Sequence, residues 1–169
     1  MENSIRGLKY HKQIGSWPIT LLVSEKGLLK EILFDENPAG CSNQPPPPGV
    51  REVFRQLEEY FKGERTGFDL QYINSKAPPF YYKVWDACRE IPYGRVTTYG
   101  LLARRIGKPR AARAVGKALG KNPLPMLIPC HRIIGAQGDL IGYTGGLDWK
   151  KKLLELEKTQ RQPFWTWEI

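Results

Sequence analysis

The sequence predicts an α+β protein of two domains: a small N-terminal antiparallel sheet with one helix, then a mainly helical domain carrying a winged-helix-like helix-turn-helix. Three observations predict it. Short apolar segments separated by turn residues fill the first third of the chain, and apolar residues at helical spacing dominate from Phe80 onward. Between them, Asn74 to Pro79 has the composition of a boundary, so the expected domains are 1–74 and 75–169.

Leu8 to Ile14, Ile19 to Ser24 and Leu28 to Phe34 read as a meander, with a turn at Glu25-Lys26-Gly27. Residues 37–49 contain four consecutive prolines, Pro45 to Pro48, which predict a stiff loop of polyproline character. Val50, Val53, Phe54, Leu57 and Phe61 then form the apolar stripe of a helix able to cover one face of the sheet. Gly63 ends it, and Phe68 to Ile73 reads as a further strand.

In the second half, helices are expected over Phe80 to Glu90, Thr98 to Ile106, Pro109 to Gly120 and Leu147 to Lys158. Pro92-Tyr93-Gly94 and Ile106-Gly107-Lys108 punctuate the first three, and the short Gly-containing turn makes the second and third a helix-turn-helix candidate. Cys88 recurs with Tyr81, Val84, Trp85 and Ile91 at helical spacing, which marks it as core, while Cys41 falls in a loop.

Lys and Arg number 26 against 17 acids, a net charge of +9 that favours a polyanionic partner, nucleic acid first. No apolar run approaches the ~20 residues of a membrane span, and the start resembles no signal peptide. The expectation is an intracellular, cytoplasmic protein without a membrane partner, drawn to the nucleoid or nucleus through DNA. Three cysteines cannot complete a disulfide framework, and a zinc site would have to draw on Cys41, Cys88, Cys130, His11 and His131, consuming the Cys-His pair. No metal and no cofactor are therefore expected; a Gly-rich dinucleotide loop after a strand is also absent.

Projected at about 100° per residue, Pro109 to Lys121 sorts into three arcs. Ala111, Ala114, Val115, Ala118 and Leu119 form an apolar stripe, and Arg110, Arg113, Lys117 and Lys121 a basic line. Between them lie Ala112, Gly116 and Gly120. Each glycine costs a helix roughly 1 kcal/mol relative to alanine, so something must approach this backbone closely: DNA, or a tightly packed helix.

Pro129-Cys130-His131-Arg132 follows the apolar run Met126-Leu127-Ile128 on what reads as a stiff extended segment. A thiol titrates near ~8.5, and an adjacent imidazole can lower that enough to give a thiolate at neutral pH. On an extended segment the two side chains point apart, so they would communicate through a bend or a water. On the last helix, Trp149, Leu153, Leu154 and Leu156 define an apolar arc into which Glu157 falls, with Asp148, Lys151, Lys152 and Glu155 opposite. A buried carboxylate needs a partner. Arg or Lys would be ordinary, but a chain from Glu157 through His131 and a water to Cys130 would let the imidazole take the thiol proton.

These residues resemble the O6-alkylguanine-DNA alkyltransferases. The resemblance runs from Phe80 to Glu157 through Ile91-Pro92-Tyr93-Gly94, Thr98-Tyr99, Ala111-Ala112-Arg113-Ala114-Val115-Gly116, Asn122-Pro123, Ile128-Pro129-Cys130-His131-Arg132-Ile133-Ile134 and Tyr143-Thr144-Gly145-Gly146-Leu147. It implies a DNA-repair enzyme that works once. Cys130 would take the alkyl group from O6 of a guanine flipped out of duplex DNA and keep it as a thioether, which is a poor leaving group. By the same resemblance His131 and Glu157 activate the thiol, Tyr99 gives a proton to the departing guanine, and Arg113 fills the gap left in the stack. Thr98, Arg110, Ala112, Gly116 and Lys117 would meet the DNA through its minor groove, and Asn122, Ile133, Tyr143, Thr144 and Gly145 would shape the pocket. A monomer is expected. Thr144 stands where some members carry serine. The rival expectation is a helix-turn-helix regulator whose Cys130 senses oxidants or electrophiles, a role that leaves Tyr99 and Glu157 idle.

Overall fold

The computed structural model describes residues 7–37, 39–74 and 76–158, so the ends of both expected domains, 1–6 and 159–169, lie outside the described residues. The chain divides into two compact units, Met1–Ser75 and Lys76–Ile169. Charge is segregated between them. Lys and Arg number nine against ten acids in 1–75 but 17 against seven in 76–169, so the whole positive surplus belongs to the second unit.

In the first unit β1 (Leu8–Ile14), β2 (Trp17–Val23) and β3 (Leu29–Phe34) form an antiparallel sheet in that order. Gly15, with φ of 57°, makes the tight turn between the paired Ile14 and Trp17. Alternation along the strands buries Tyr10, Ile19, Leu21, Leu29 and Ile32. Helix α1 (Pro48–Phe61) opens with proline in its first turn and buries Val50, Val53, Phe54, Leu57 and Tyr60.

The strand expected at Phe68 to Ile73 does not form. Only an isolated bridge joins Tyr72 to Leu29. The cause is the buried Gln56, whose amide bonds both the carbonyl and the N–H of Asp69 (2.9 Å each) and so takes the backbone groups a ladder would need.

The second unit is built from α2 (Pro79–Arg89), β4 (Thr97–Thr98), α3 (Tyr99–Arg105), α4 (Ala112–Leu119), a 3-10 turn at Cys130–Arg132, β5 (Ile133–Ile134) and α5 (Leu147–Lys158). Its core gathers Val84, Trp85, Cys88, Leu102, Val115, Ala118, Ile128 and Leu153. Trp85 fixes α2 against α4 by donating its indole N–H to the Ala118 carbonyl at 2.9 Å. Helix α4 starts three residues later than Pro109, because Ala111 N–H closes a turn onto the Lys108 carbonyl before the helix begins. Arg110 therefore lies in that turn rather than on the helix. Ala114 is exposed and Ala111 half-buried, which leaves Val115, Ala118 and Leu119 as the buried stripe.

The short parallel pair β4–β5 matters most for position. Thr97 pairs with Ile133 and Thr98 with Ile134, which ties the start of α3 to the residues just after Cys130. Thr98 also caps α3, its Oγ1 accepting the Leu101 N–H at 3.2 Å, and so sets Tyr99 as the first helical residue. With this architecture the chain is an α+β protein.

Candidate active site

Cys130 sits on a single 3-10 turn, not on an extended segment. Pro129, with ψ of 59°, turns the chain, and Arg132 N–H then bonds the Pro129 carbonyl at 2.9 Å. Cys130 borders a cavity of about 570 Å³ that Tyr99, Arg113, Tyr143 and Thr144 also line, together with the small residues Ala112, Gly116 and Gly120 of α4 and its C-terminal cap. The line of small residues on α4 thus faces the cavity. A methyl group on Gly116 would stand 3.6 Å from the Tyr99 ring, an ordinary van der Waals contact, so the ring packs beside this stretch of the helix. Thr144 closes the rim, its hydroxyl donating to the Gly120 carbonyl at 3.3 Å.

Behind the sulfur lies Asn122, wholly committed. Its amide N–H group donates to the Ile128 carbonyl (2.8 Å) and to Cys130 Sγ (3.0 Å), while its oxygen accepts the Leu124 N–H (2.9 Å). It holds a loop strained at Met126, which adopts φ of 73° in the core.

On the far side of the turn His131 is fully buried, with Nε2 2.8 Å from Glu157 Oε1. The same carboxylate accepts from Arg132 Nη2 (2.8 Å), from Arg132 Nε (3.0 Å) and from the Gly94 N–H (3.0 Å). Arg132 donates further to the Ile91 carbonyl at 2.6 Å. Both ends of the Ile91-Pro92-Tyr93-Gly94 turn are therefore fastened to this one cluster, and Gly94 meets it with φ of 72°.

Protonation follows from these contacts. Burial pushes the Glu157 carboxyl up, but His131 and Arg132 outweigh it and hold the group well below the usual carboxylate range. Burial keeps His131 below its ordinary value against the pull of Glu157. The ring is thus neutral, and because a carboxylate only accepts, its proton is on Nε2. That leaves Nδ1 as a lone-pair acceptor, buried and without a protein partner among the described residues. For Cys130, burial dominates: the thiol is pushed up to about 11, although Asn122, Lys150 and Tyr143 pull it down. Adjacency to an imidazole in sequence does not offset loss of water here, so the resting group is the thiol.

The 6-O-methylguanine DNA methyltransferase DNA-binding domain matches residues 79–159, and the ribonuclease-like domain of the same proteins matches 10–72. A methylated-DNA–protein-cysteine methyltransferase of Methanosarcina mazei is 45% identical over 146 residues, covering 84% of this chain and 91% of that one. The chain belongs to this family. The namesake from Methanosarcina barkeri is 52% identical over 83% of this chain and 90% of its own. Among solved structures, the Mycobacterium tuberculosis OGT in complex with DNA superposes with a TM-score of 0.75 at 41% identity, over 91% of this chain and 93% of that one.

Of the residues singled out from sequence, Tyr99, Ala112, Arg113, Gly116, Cys130, Tyr143 and Thr144 line one cavity, and Asn122 touches the sulfur behind it. His131 and Glu157 form the buried pair. Lys117 is exposed on α4, and Arg110 precedes the helix. Ile133 and Gly145 are not in the cavity wall: Ile133 is wholly buried as the strand partner of Thr97.

Two residues of the site escaped the sequence reading. Arg132, read only as part of the motif, is the principal ion-pair partner of Glu157. Lys150 is fully buried, its ammonium 2.8 Å from the Ile141 carbonyl. A signal existed for it: Lys150, Leu153, Leu154 and Glu157 fall at i, i+3, i+4 and i+7, one face of α5. All four are buried, whereas Trp149 and Leu156 are only half-buried.

Proposed function

We propose that the protein repairs alkylated DNA by moving the alkyl group from O6 of guanine onto its own Cys130, once and irreversibly. The observation that carries the reading is a buried cysteine at the wall of a cavity with ample room for a purine base, backed by a neutral histidine whose free ring nitrogen can accept a proton. Family membership and the DNA complex of a 41% identical relative support the substrate. The positive surplus confined to the second unit supports a nucleic-acid partner there.

In the proposed step the Cys130 proton passes through water to His131 Nδ1 while sulfur attacks the alkyl carbon. The S–C bond forms, the C–O6 bond breaks, and its electron pair leaves with guanine, which takes a proton from the Tyr99 hydroxyl. Glu157 and Arg132 keep the histidine in the tautomer that can accept. The imidazolium later returns its proton through solvent to Tyr99, leaving thioether and guanine. Flipping the base costs a few kcal/mol, and Arg113, exposed at the cavity rim, occupies the vacated place in the stack. Approach through the minor groove, by a monomer acting inside the cell, belongs to the same proposal.

A sensor role for Cys130 is disfavoured, because sensing thiols are exposed and acidic whereas this one is buried and raised. The test is duplex DNA carrying radiolabelled O6-methylguanine. One equivalent of label at Cys130 is expected, with none for Cys130→Ser despite retained DNA binding; label released to solvent, or multiple turnovers, would sink the proposal.

A further inference from the structure

Among the described residues Leu8, Ile141 and Leu147 are the large apolar side chains that stand in the open, and of these Ile141, 49% exposed, lines the Cys130 cavity. Exposure of a single aliphatic group is ordinary; its place here is not. Arg113 lines the same cavity and is exposed as well, but it comes from α4, whereas Ile141 belongs to the segment between β5 and α5. Within the cavity an aliphatic wall already exists in Leu119, which is buried. The exposed part of Ile141 is therefore left for whatever meets the cavity mouth from outside.

The main chain beneath this side chain is held from two sides. The Ile141 carbonyl accepts the Tyr99 hydroxyl of α3 (2.9 Å) and the ammonium of Lys150 on α5 (2.8 Å), and Gly142 then turns the chain with φ of 43°. Fixed in this way, the isoleucine cannot retreat by a shift of its own backbone when a surface is pressed against the mouth. Duplex DNA is such a surface, and apolar side chains held rigidly against it act as wedges at unstacked base steps.

We propose that Ile141 is an apolar wedge for the duplex: held at the cavity mouth, it packs on the base and sugar next to the extruded guanine, while Arg113 fills the gap in the stack from α4. The inference rests on the alkyl-transfer reading and adds to base extrusion a second contact, made by dispersion and exclusion of water instead of charge. The two kinds of contact select differently. Cationic side chains bind every stretch of DNA alike through its phosphates, whereas the face of an unstacked base is offered only where a nucleotide has left the helix. Ile141 thus favours the flipped state over simple encounter.

The test uses the full chain as wild type, Ile141→Ser, Ile141→Met and Leu147→Ser, the last removing a similarly exposed apolar group that does not line the cavity. Labelling of Cys130 is followed in a single turnover from duplex DNA carrying O6-methylguanine and from a free O6-alkylguanine base. Ile141→Ser should slow transfer from the duplex about tenfold, the worth of the apolar surface given up, and change transfer from the free base by less than about twofold. Ile141→Met and Leu147→Ser should behave as wild type on both substrates. Equal losses on both would make Ile141 a wall of the base pocket and overturn the wedge, as would an undiminished rate on the duplex. A second readout needs no chemistry: a 2-aminopurine base beside the lesion, in complexes with Cys130→Ser protein that does or does not also carry Ile141→Ser. Fluorescence rises as this base unstacks, so the rise should be smaller without the isoleucine, and an equal rise counts against the proposal. Should wild type fail to accept methyl at all, the alkyl-transfer reading falls, while the fluorescence still reports whether Ile141 unstacks the duplex.

Discussion

Replacing Glu157 by glutamine removes one charge and almost no volume from a cluster that holds two units of function. The carboxylate accepts from Arg132 twice, from His131 and from the Gly94 N–H, and it is buried to within 2% of full exclusion. Glutamine keeps one accepting oxygen and turns an amide N–H2 toward donors, so the Arg132 guanidinium loses its counter-charge. Breaking a buried ion pair from one side costs about 3–5 kcal/mol. For a unit of this size that should lower the unfolding midpoint by more than about 10 °C. Transfer per folded molecule should fall by about 10²–10⁴-fold, the ordinary worth of a positioned base, because the imidazole is no longer held with its proton on Nε2. The assay pairs thermal unfolding with single-turnover methyl transfer, normalised to folded protein. The pH dependence has a defined sign. The folded carboxyl is depressed, so its contribution is present above the unfolded value of about 4.3 and is lost as pH falls below it. Wild type and Glu157→Gln should therefore converge in stability in acid. A variant that transfers at the wild-type rate per folded molecule refutes the orienting role; one as stable as wild type at neutral pH refutes the pairing energetics.

Arg113→Ala should slow transfer from duplex DNA far more than transfer from a free O6-alkylguanine base, measured by competition labelling of Cys130; equal losses would remove Arg113 from the base-flipping step. Gln56→Ala should cost the first unit about 1–3 kcal/mol, read by urea unfolding, because both Asp69 backbone groups lose their partner. Methyl transfer per folded molecule should be unchanged, and a loss there would contradict the assignment of the chemistry to the second unit.

What could be read from sequence was whatever repeats locally. Strand alternation and the stripe of α1 give the sheet and its covering helix, and Glu157 betrayed itself as a carboxylate on an apolar arc. Phe68 to Ile73 looked like a strand because its competitor, Gln56, lies on another element and leaves no trace in the local pattern. Pro109 has the look of a helix start, but a backbone turn at Lys108 to Ala111 delays α4. Lys150 has the right spacing to be inside and the wrong chemistry to be expected there. The state of Cys130 was the least legible: the motif suggests an acidic thiol, and burial, which no motif records, reverses it.

Gly116 sets a limit on how the protein can be hardened. Replacing helical glycine by alanine is among the simplest routes to a more heat-resistant protein, worth about 1 kcal/mol where the backbone allows it. In α4 the added methyl would project into the Cys130 cavity, in ordinary van der Waals contact with the Tyr99 ring. An engineer screening for melting temperature alone would select that change and lose room for the substrate, so stabilisation of this chain is better sought in the first unit.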